Sequence, residues 1–342
     1  MRKGGSFMPK HIGLDLGTSN TRMYVKGKGI VFRSPTVVTV DKAEDKVVAL
    51  GREAKLMIGK TPAHMEAYRP IRDGAVADFE VASMMLHEFF VANDALSLFN
   101  RPVVLVSVPE CCTEVEKLAV ENAIFAAGAK AVGTVTSTIA SAVGAGLRIN
   151  SARGCMIVDI GAGMTQVSVI SSGSIVRSRA LKLGGEKLDN AIINNLRTQK
   201  DLLIGPMSAE MIKLRIGAAV EGADRGAVEV SGRNERLKCA QTVQVSTRDV
   251  YGAIGAGLEA ICRTITGVLR SSPPEIASDI YEFGLMLVGG GANLHGIAAL
   301  ITQRTGLRVT VAKSPMDCEC QGLGRLIEKP SILPGGILYK NR

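Results

Sequence analysis

Apolar residues fall into two rhythms along this chain. Val81, Met85 and Phe89, flanked by Leu86 and Phe90, recur at the spacing of one helix face. The apolar run 103–108 reads as a buried strand. Thr113 with Glu116 forms a capping box that opens a helix, and Gly128 is placed to close it. Ile254, Leu258, Ile261, Ile265 and Val268 predict a long helix stopped by Pro273-Pro274. Residues 285–288 predict a strand, Gly289-Gly290-Gly291 a turn, and a further helix starts near Leu294. Two uncharged stretches, 131–147 and 283–303, are interrupted by Gly, Ser, Thr or Asn. Both fit strand–turn–helix better than a spanning helix, so no segment is expected to cross a membrane.

The pattern repeats itself. Residues 15–29 overlay residues 159–173 at an offset of 144, with Asp, Gly, Thr, Val and Gly coinciding at 15/159, 17/161, 21/165, 25/169 and 29/173. Each copy reads as an apolar strand, an Asp-x-Gly turn and a second strand. Two such copies half a chain apart imply a duplicated α/β fold in two halves, each with a smaller insertion. The expected halves are 1–150, with a turn-rich insertion at about 31–79, and 151–342. The second half carries an insertion at about 186–250 and a tail at about 322–342 that returns to the first half.

Composition narrows the field. With 342 residues, 46% apolar and 21% charged, the chain is globular and long enough for two cores. Aromatics at 4% and no tryptophan argue against a stacking platform for single-stranded nucleic acid, and no basic run suggests an arm for duplexes. A net charge of +9 still favours an anionic ligand or membrane surface. Seven cysteines, odd in number and mostly in apolar segments, indicate reduced structural thiols in a cytoplasmic setting. The start, MRKGGSFMPK, has basic residues but no apolar region of a signal peptide, and Met8 is an alternative start.

Candidate chemistry sits in three glycine-bearing turns, 15–21, 159–165 and 289–293. Small residues let backbone N–H groups approach phosphate oxygens, and Thr18, Ser19 and Thr21 add hydroxyls. Asp15 and Asp159 end equivalent strands, where two carboxylates would hold hydrated Mg²⁺ over the phosphates. A two-sided nucleotide site follows. The segment from Ala54 to Gly59-Lys60-Thr61 imitates a P-loop, but Ala54 replaces the first glycine and the segment reads as helical. The GGG run lacks the spacing of a dinucleotide fingerprint.

Together these residues carry a resemblance. Asp15-Leu-Gly-Thr-Ser-Asn-Thr21, Arg69-Pro-Ile-Arg-Asp-Gly74, Thr113-Glu-Val-Glu-Lys117, Asp159-Ile-Gly161, Gly184-Gly185, Ile212-Lys-Leu-Arg-Ile-Gly217, Gly289-Gly-Gly-Ala292 and Gly322-x-Gly324 are similar to the MreB family of bacterial actins. The resemblance implies an actin-like fold with ATP held between the halves. It implies antiparallel double protofilaments on the inner face of the cell membrane that organise the cell-wall elongation machinery and rod shape. Carried across, Thr18, Ser19 and Asn20 wrap the phosphates, and Gly161, Ala162, Gly163 and Met164 form the second phosphate turn. Glu210, Met211, Ile212 and Lys213 face the adenosine, and Gly289, Gly290, Gly291, Ala292 and Asn293 lie under it. Leu96, Leu98 and Phe99 correspond to an apolar membrane tip. On residue type alone, Glu210 and Lys213 are a solvated helix pair.

Two departures bear on catalysis. Ser137-Thr138 stands where the family has Glu-Pro, removing the glutamate that orients the attacking water, and Gln166 replaces a second carboxylate. ATP binding survives on backbone donors, whereas fast hydrolysis is not expected. The alternatives are a hydrolysis-deficient paralogue that modulates filaments of a fuller relative, or a small-molecule kinase with the same fold.

Overall fold

A computed structural model describes residues 9–44, 46–97 and 100–342. The chain divides into two units. One runs through Ser151 and adds Ser172–Ser174 and Asp317–Arg342; the other comprises Ala152–Ser171 and Ile175–Met316.

The first unit is built on a six-stranded sheet. Its order is Tyr339–Asn341, Ala131–Thr136, Val103–Val108, His11–Leu16, Asn20–Val25 and Gly29–Pro35. Val103–Val108 is apolar throughout except for Ser107 and is buried between parallel neighbours on both sides. The chain between Thr36 and Asp78 forms a three-stranded sheet, the short helix Gly51–Met57 and a two-residue-strand hairpin. The P-loop imitation thus begins in a helix, and the strand Gly29–Pro35 belongs to the large sheet. Helix Phe79–Ala92 places Val81, Met85, Leu86, Phe89 and Phe90 in the core under the sheet. On the sheet's opposite face lies helix Cys318–Glu328, packed closely on helix Ser137–Ala145. A side chain on Gly144 would strike the Cys318 carbonyl, and one on Gly322 the Ala140 carbonyl. Backbone contact at this crossing requires both glycines.

The second unit repeats the plan. Its five-stranded sheet runs Ser174–Leu181, Thr165–Ser171, Cys155–Ile160, Leu285–Val288 and Val309–Val311. In both sheets a hairpin plus a third antiparallel strand lies beside parallel strands added from later in the chain. The long helix, Thr247–Arg270, is apolar and long enough to span a membrane. Its stripe of Val250, Ile254, Leu258, Ile261, Ile265 and Val268 is instead buried in the second core. It ends at Arg270, and Pro273-Pro274 start the following helix, Pro274–Phe283.

Candidate functional site

The two hairpins have the same register. Asp15 pairs across with Arg22 and Leu16 with Thr21; Asp159 pairs with Gln166 and Ile160 with Thr165. In each turn the glycine N–H donates back across the tip, from Gly17 to the Asn20 carbonyl at 3.2 Å and from Gly161 to the Met164 carbonyl at 2.9 Å. That closure leaves the next two amides over. Among the described residues no protein acceptor takes the N–H of Thr18 or Ser19, nor that of Ala162 or Gly163. Paired N–H groups at the tip of a tight turn form a concavity suited to an anion.

Different scaffolds hold the two tips. In the first, the Thr36 hydroxyl donates to the Gly17 carbonyl at 2.7 Å and accepts from Thr21 at 2.9 Å. In the second, the start of helix Gly185–Lys200 docks on the turn: Gly185 N–H reaches the Gly161 carbonyl and Glu186 N–H the Ala162 carbonyl, both at 2.9 Å. A Cβ at Gly184 would stand 2.5 Å from the Ala162 oxygen, so no larger residue fits there. The third turn also converges on this hairpin. Gly289 has φ of +83°, and a Cβ there would meet the Ile160 carbonyl at 2.5 Å and the Asp159 carboxylate. Residues Gly290–Asn293 form a 3₁₀ turn whose Asn293 side chain donates to the Gly290 carbonyl at 3.3 Å. The second unit therefore gathers Asp159, Gly161–Met164 and Gly289–Asn293 into one place.

Helix Pro206–Ile216 carries the residues expected at the adenosine. Lys213 Nζ pairs with Asp189 at 2.8 Å and donates to the Gly185 carbonyl at 2.7 Å. It therefore ties that helix to the phosphate-turn helix. Glu210 is half-buried, and Met211 packs along the core edge. Ile212 is fully buried in the second core, so its side chain is structural and not a ligand contact, a correction to the expectation.

In the first unit, Ser137 opens helix Ser137–Ala145 and is buried. Its neighbour Thr136 donates to the Glu110 carboxylate at 3.3 Å, an acid that motif reading passes over. Leu96 packs against the first core and sits beside Gly128, which removes it from an exposed tip. Leu98 and Phe99 lie outside the described residues. None of the seven cysteines is in a disulfide.

The larger omission is Arg22. Its Nη1 donates to Asp15 Oδ2 at 3.0 Å and its Nε lies 3.3 Å from Asp317 Oδ1. Asp317 in turn takes Arg33 at 3.1 and 2.9 Å. Burial pushes the Asp15 carboxyl above the ordinary range, while the charge and hydrogen bond of Arg22 pull it back. The Arg33 hydrogen bond holds the Asp317 carboxyl below that range. Burial, and then the Asp15 charge, raise the Cys320 thiol nearby, which stays neutral. Two carboxylates are thus balanced by two guanidiniums.

That balance decides the metal question at Asp15. Mg²⁺ takes oxygen ligands and keeps much of its hydration shell, so an outer-shell carboxylate must accept from its waters. Asp15 instead accepts from a fixed cation, and its side chain is only 6% exposed. Among the described residues no group of three or more His, Cys, Asp or Glu side chains is placed to hold a metal. Asp15 does not fit the role of magnesium ligand expected of it. Across the strand pair Asp159 stands opposite Gln166.

With this geometry in view, comparison with known proteins is decisive. The family model described as MreB/Mbl protein matches residues 9–333. The chain belongs to the MreB/Mbl family. It is 39% identical to the cell shape-determining protein Mbl of Bacillus cereus, covering 95% of this chain and 98% of that one. It is also 39% identical to the cell shape-determining protein MreB of Escherichia coli K12, over 99% of each. Among solved structures, MreB5 of Spiroplasma citri bound to ADP superposes with a TM-score of 0.89 at 29% identity, covering 94% of this chain and 97% of that one. The AMPPNP-bound form of MreB5 gives the same TM-score at 30% identity, over 94% and 96%. The MamK double helical filament, at 22% identity over 96% of this chain and 100% of that one, has a TM-score of 0.77 and supports the fold alone. The fold is α/β and actin-like.

Proposed function

We propose that this chain is an ATP-binding actin-like filament protein of the cytoplasm that helps set rod cell shape by organising cell-wall synthesis. The observation that carries this reading is the duplicated hairpin tip, with two N–H groups in each copy that no described residue accepts. Such donors suit phosphate oxygens, and each charge-assisted hydrogen bond is worth about 1.5–3 kcal/mol. The family's Spiroplasma citri structures hold ADP and AMPPNP, which supports a nucleotide here. Thr18, Ser19 and Asn20 are phosphate-binding residues in this reading, as are Gly161, Ala162, Gly163 and Met164, with Gly289–Asn293 beneath the adenosine and Glu210 and Met211 beside it. Lys213 acts as the tie between the two helices of the second unit. Of the two carboxylates, Asp159 meets Mg²⁺ through water in this reading and Asp15 does not.

Filaments of antiparallel double protofilaments on the inner membrane surface, working with the elongation machinery, complete the proposal. Leu98 and Phe99 form the membrane contact. Burying one Leu and one Phe yields at most about 3–6 kcal/mol, weak for one subunit but additive along a filament. Hydrolysis is slow, because Ser137 offers no carboxylate and Gln166 positions water without acting as a base. The same feature favours a second reading, a paralogue that modulates filaments of a fuller relative.

Pelleting of the purified protein with and without ATP, followed by electron microscopy, separates the two. ATP-dependent filaments support the first reading, and a protein that pellets only with a co-polymerising relative supports the second. Pelleting with anionic liposomes tests the membrane contact: Leu98→Ser with Phe99→Ser is expected to abolish co-sedimentation and leave ATP binding intact.

A further inference from the structure

Register places Asp15 opposite Arg22, and the alternation of a strand pair sends both side chains to the face that carries Gly13 and Tyr24. Helix Cys318–Glu328 covers that face: a Cβ on Gly13 would meet Leu323, and one on Gly324 would meet the Tyr24 ring. Asp317, which precedes this helix, is therefore held where it meets Arg22. The result is a chain of alternating charge, Asp15–Arg22–Asp317–Arg33, linked at 3.0, 3.3 and 2.9 Å. The Asp15–Arg22 end is the most enclosed, with side chains 6% and 11% exposed. In the second hairpin the position equivalent to Arg22 is the uncharged Gln166.

We propose that Arg22 is the resident cation of the first phosphate turn. Its guanidinium takes the charge-balancing place at Asp15 that a hydrated divalent ion would hold, so nucleoside triphosphate binding by this chain depends only weakly on magnesium. Three features carry this. Asp15 already accepts from Arg22, and a dication brought to the same carboxylate meets a fixed positive charge. Arginine does not deprotonate in proteins, so the charge is permanent. The guanidinium also has N–H donors beyond the two engaged, and it suits phosphate oxygens as well as carboxylates. Arg22 thus adds positive potential one residue beyond the turn that holds Thr18 and Ser19, without a metal. This inference rests on the nucleotide reading above.

The test is titration of the full chain with AMPPNP, in excess magnesium and in excess EDTA, for wild type, Arg22→Leu and Arg22→Gln. Wild-type affinity is expected to differ by less than about threefold between the buffers, and both variants to bind at least about tenfold more tightly with magnesium than without. A tenfold loss for wild type in EDTA overturns the proposal, as do variants no more magnesium-dependent than wild type. Arg22→Gln keeps a hydrogen-bond donor for Asp15 without the charge, and it decides the matter should circular dichroism show Arg22→Leu misfolded. Absence of AMPPNP binding by all three proteins in both buffers overturns the nucleotide reading instead. The resident cation is then judged on the nucleotide-free protein by Mn²⁺ electron paramagnetic resonance. A bound-metal signal gained by Arg22→Gln and absent from wild type supports it, and no difference between the two overturns it.

Discussion

The two hairpins of this protein, one in each unit, share a backbone plan and differ in their electrostatics. Cross-strand pairs, tip hydrogen bonds and even the glycine that ends each hairpin coincide, Gly29 with φ of +80° and Gly173 with φ of +78°. Yet the first Asp is locked to an arginine inside a four-member charged chain. The second faces a glutamine and abuts a glycine turn, and a helix N-terminus docks on the hairpin tip beside it. Duplication preserves what the backbone must do, which is present N–H groups. Side chains outside that requirement are free to change the charge beside each turn. One turn sets its Asp against an arginine, the other against a glutamine.

If the first half has diverged in chemistry as far as in charge, the largest effect is on turnover. Ser137 is too short and too weakly basic to replace a carboxylate that polarises water, and loss of a general base typically costs about 10²–10⁴-fold in rate. ATP hydrolysis by the wild type is expected to run at least about a hundredfold below a glutamate-bearing family member in a phosphate-release assay. Ser137→Glu is expected to recover part of it, since the side chain sits at the first turn of a helix where a carboxylate is favoured. Equal wild-type rates would mean that the halves have not diverged in this sense.

The equivalent glycines sharpen the structural half of the comparison. Alanine at Gly29 meets nothing within 4 Å, so only its left-handed backbone is strained, a cost of about 1 kcal/mol. Alanine at Gly173 carries the same strain and also runs into the Pro334 ring and the Asn150 side chain. With overpacking added, about 2–4 kcal/mol is expected from urea denaturation. Equal costs would show that the C-terminal segment yields at Pro334.

How far the sequence reveals this architecture depends on the range of the interaction concerned. Local pattern suffices for strands 103–108 and 285–288, for the Thr113 capping box, and for the hairpin repeat. Each of these is written within a few residues by alternation, turn chemistry or capping. Motif likeness also picks out Gly184 and Gly289, although the reason, a carbonyl in the way, appears only in three dimensions, and it assigns Lys213 to the adenosine without showing its aspartate partner. Arg22 escapes notice because its meaning depends on Asp317, nearly 300 positions on, and on a helix crossing the sheet face. An arginine in an alternating strand otherwise reads as a solvated side chain. Ile212 is misplaced for the opposite reason: likeness names a segment, and burial decides which of its side chains faces out.

A smaller effect separates the carboxylates directly. Asp159→Asn is expected to weaken Mg-ATP binding by about twofold to threefold, the share that magnesium supplies, while Asp15→Asn does not weaken it. Calorimetric titration at fixed magnesium checks both. Equal losses would restore Asp15 to the metal.

A comparably small effect concerns a second duplicated device, the capping box. One stands in each unit: Thr113 with Glu116 at the start of helix Glu114–Ala126, and Ser246 with Asp249 at the start of Thr247–Arg270. The glutamate box conforms to the usual pattern and is visible in the sequence, whereas the aspartate box departs from it and is not. Ser246 donates its N–H and its hydroxyl to Asp249 Oδ2, both at 2.8 Å, and Lys200 lies 3.4 Å from the same oxygen. Partial burial pushes the Asp249 carboxyl up, but the two Ser246 hydrogen bonds and Lys200 outweigh it and set the group below the ordinary carboxylate range. A depressed carboxyl stabilises the fold at pH above its unfolded value, and that contribution fades as pH falls through the folded value. Asp249→Asn is therefore expected to cost about 0.5–2 kcal/mol at neutral pH, the range for a lost cap. The gap from wild type should narrow as urea denaturation is repeated at pH values below the carboxylate range. A gap that stays constant into acid would assign the loss to helix geometry, because only the ionised carboxylate can account for a difference that pH removes.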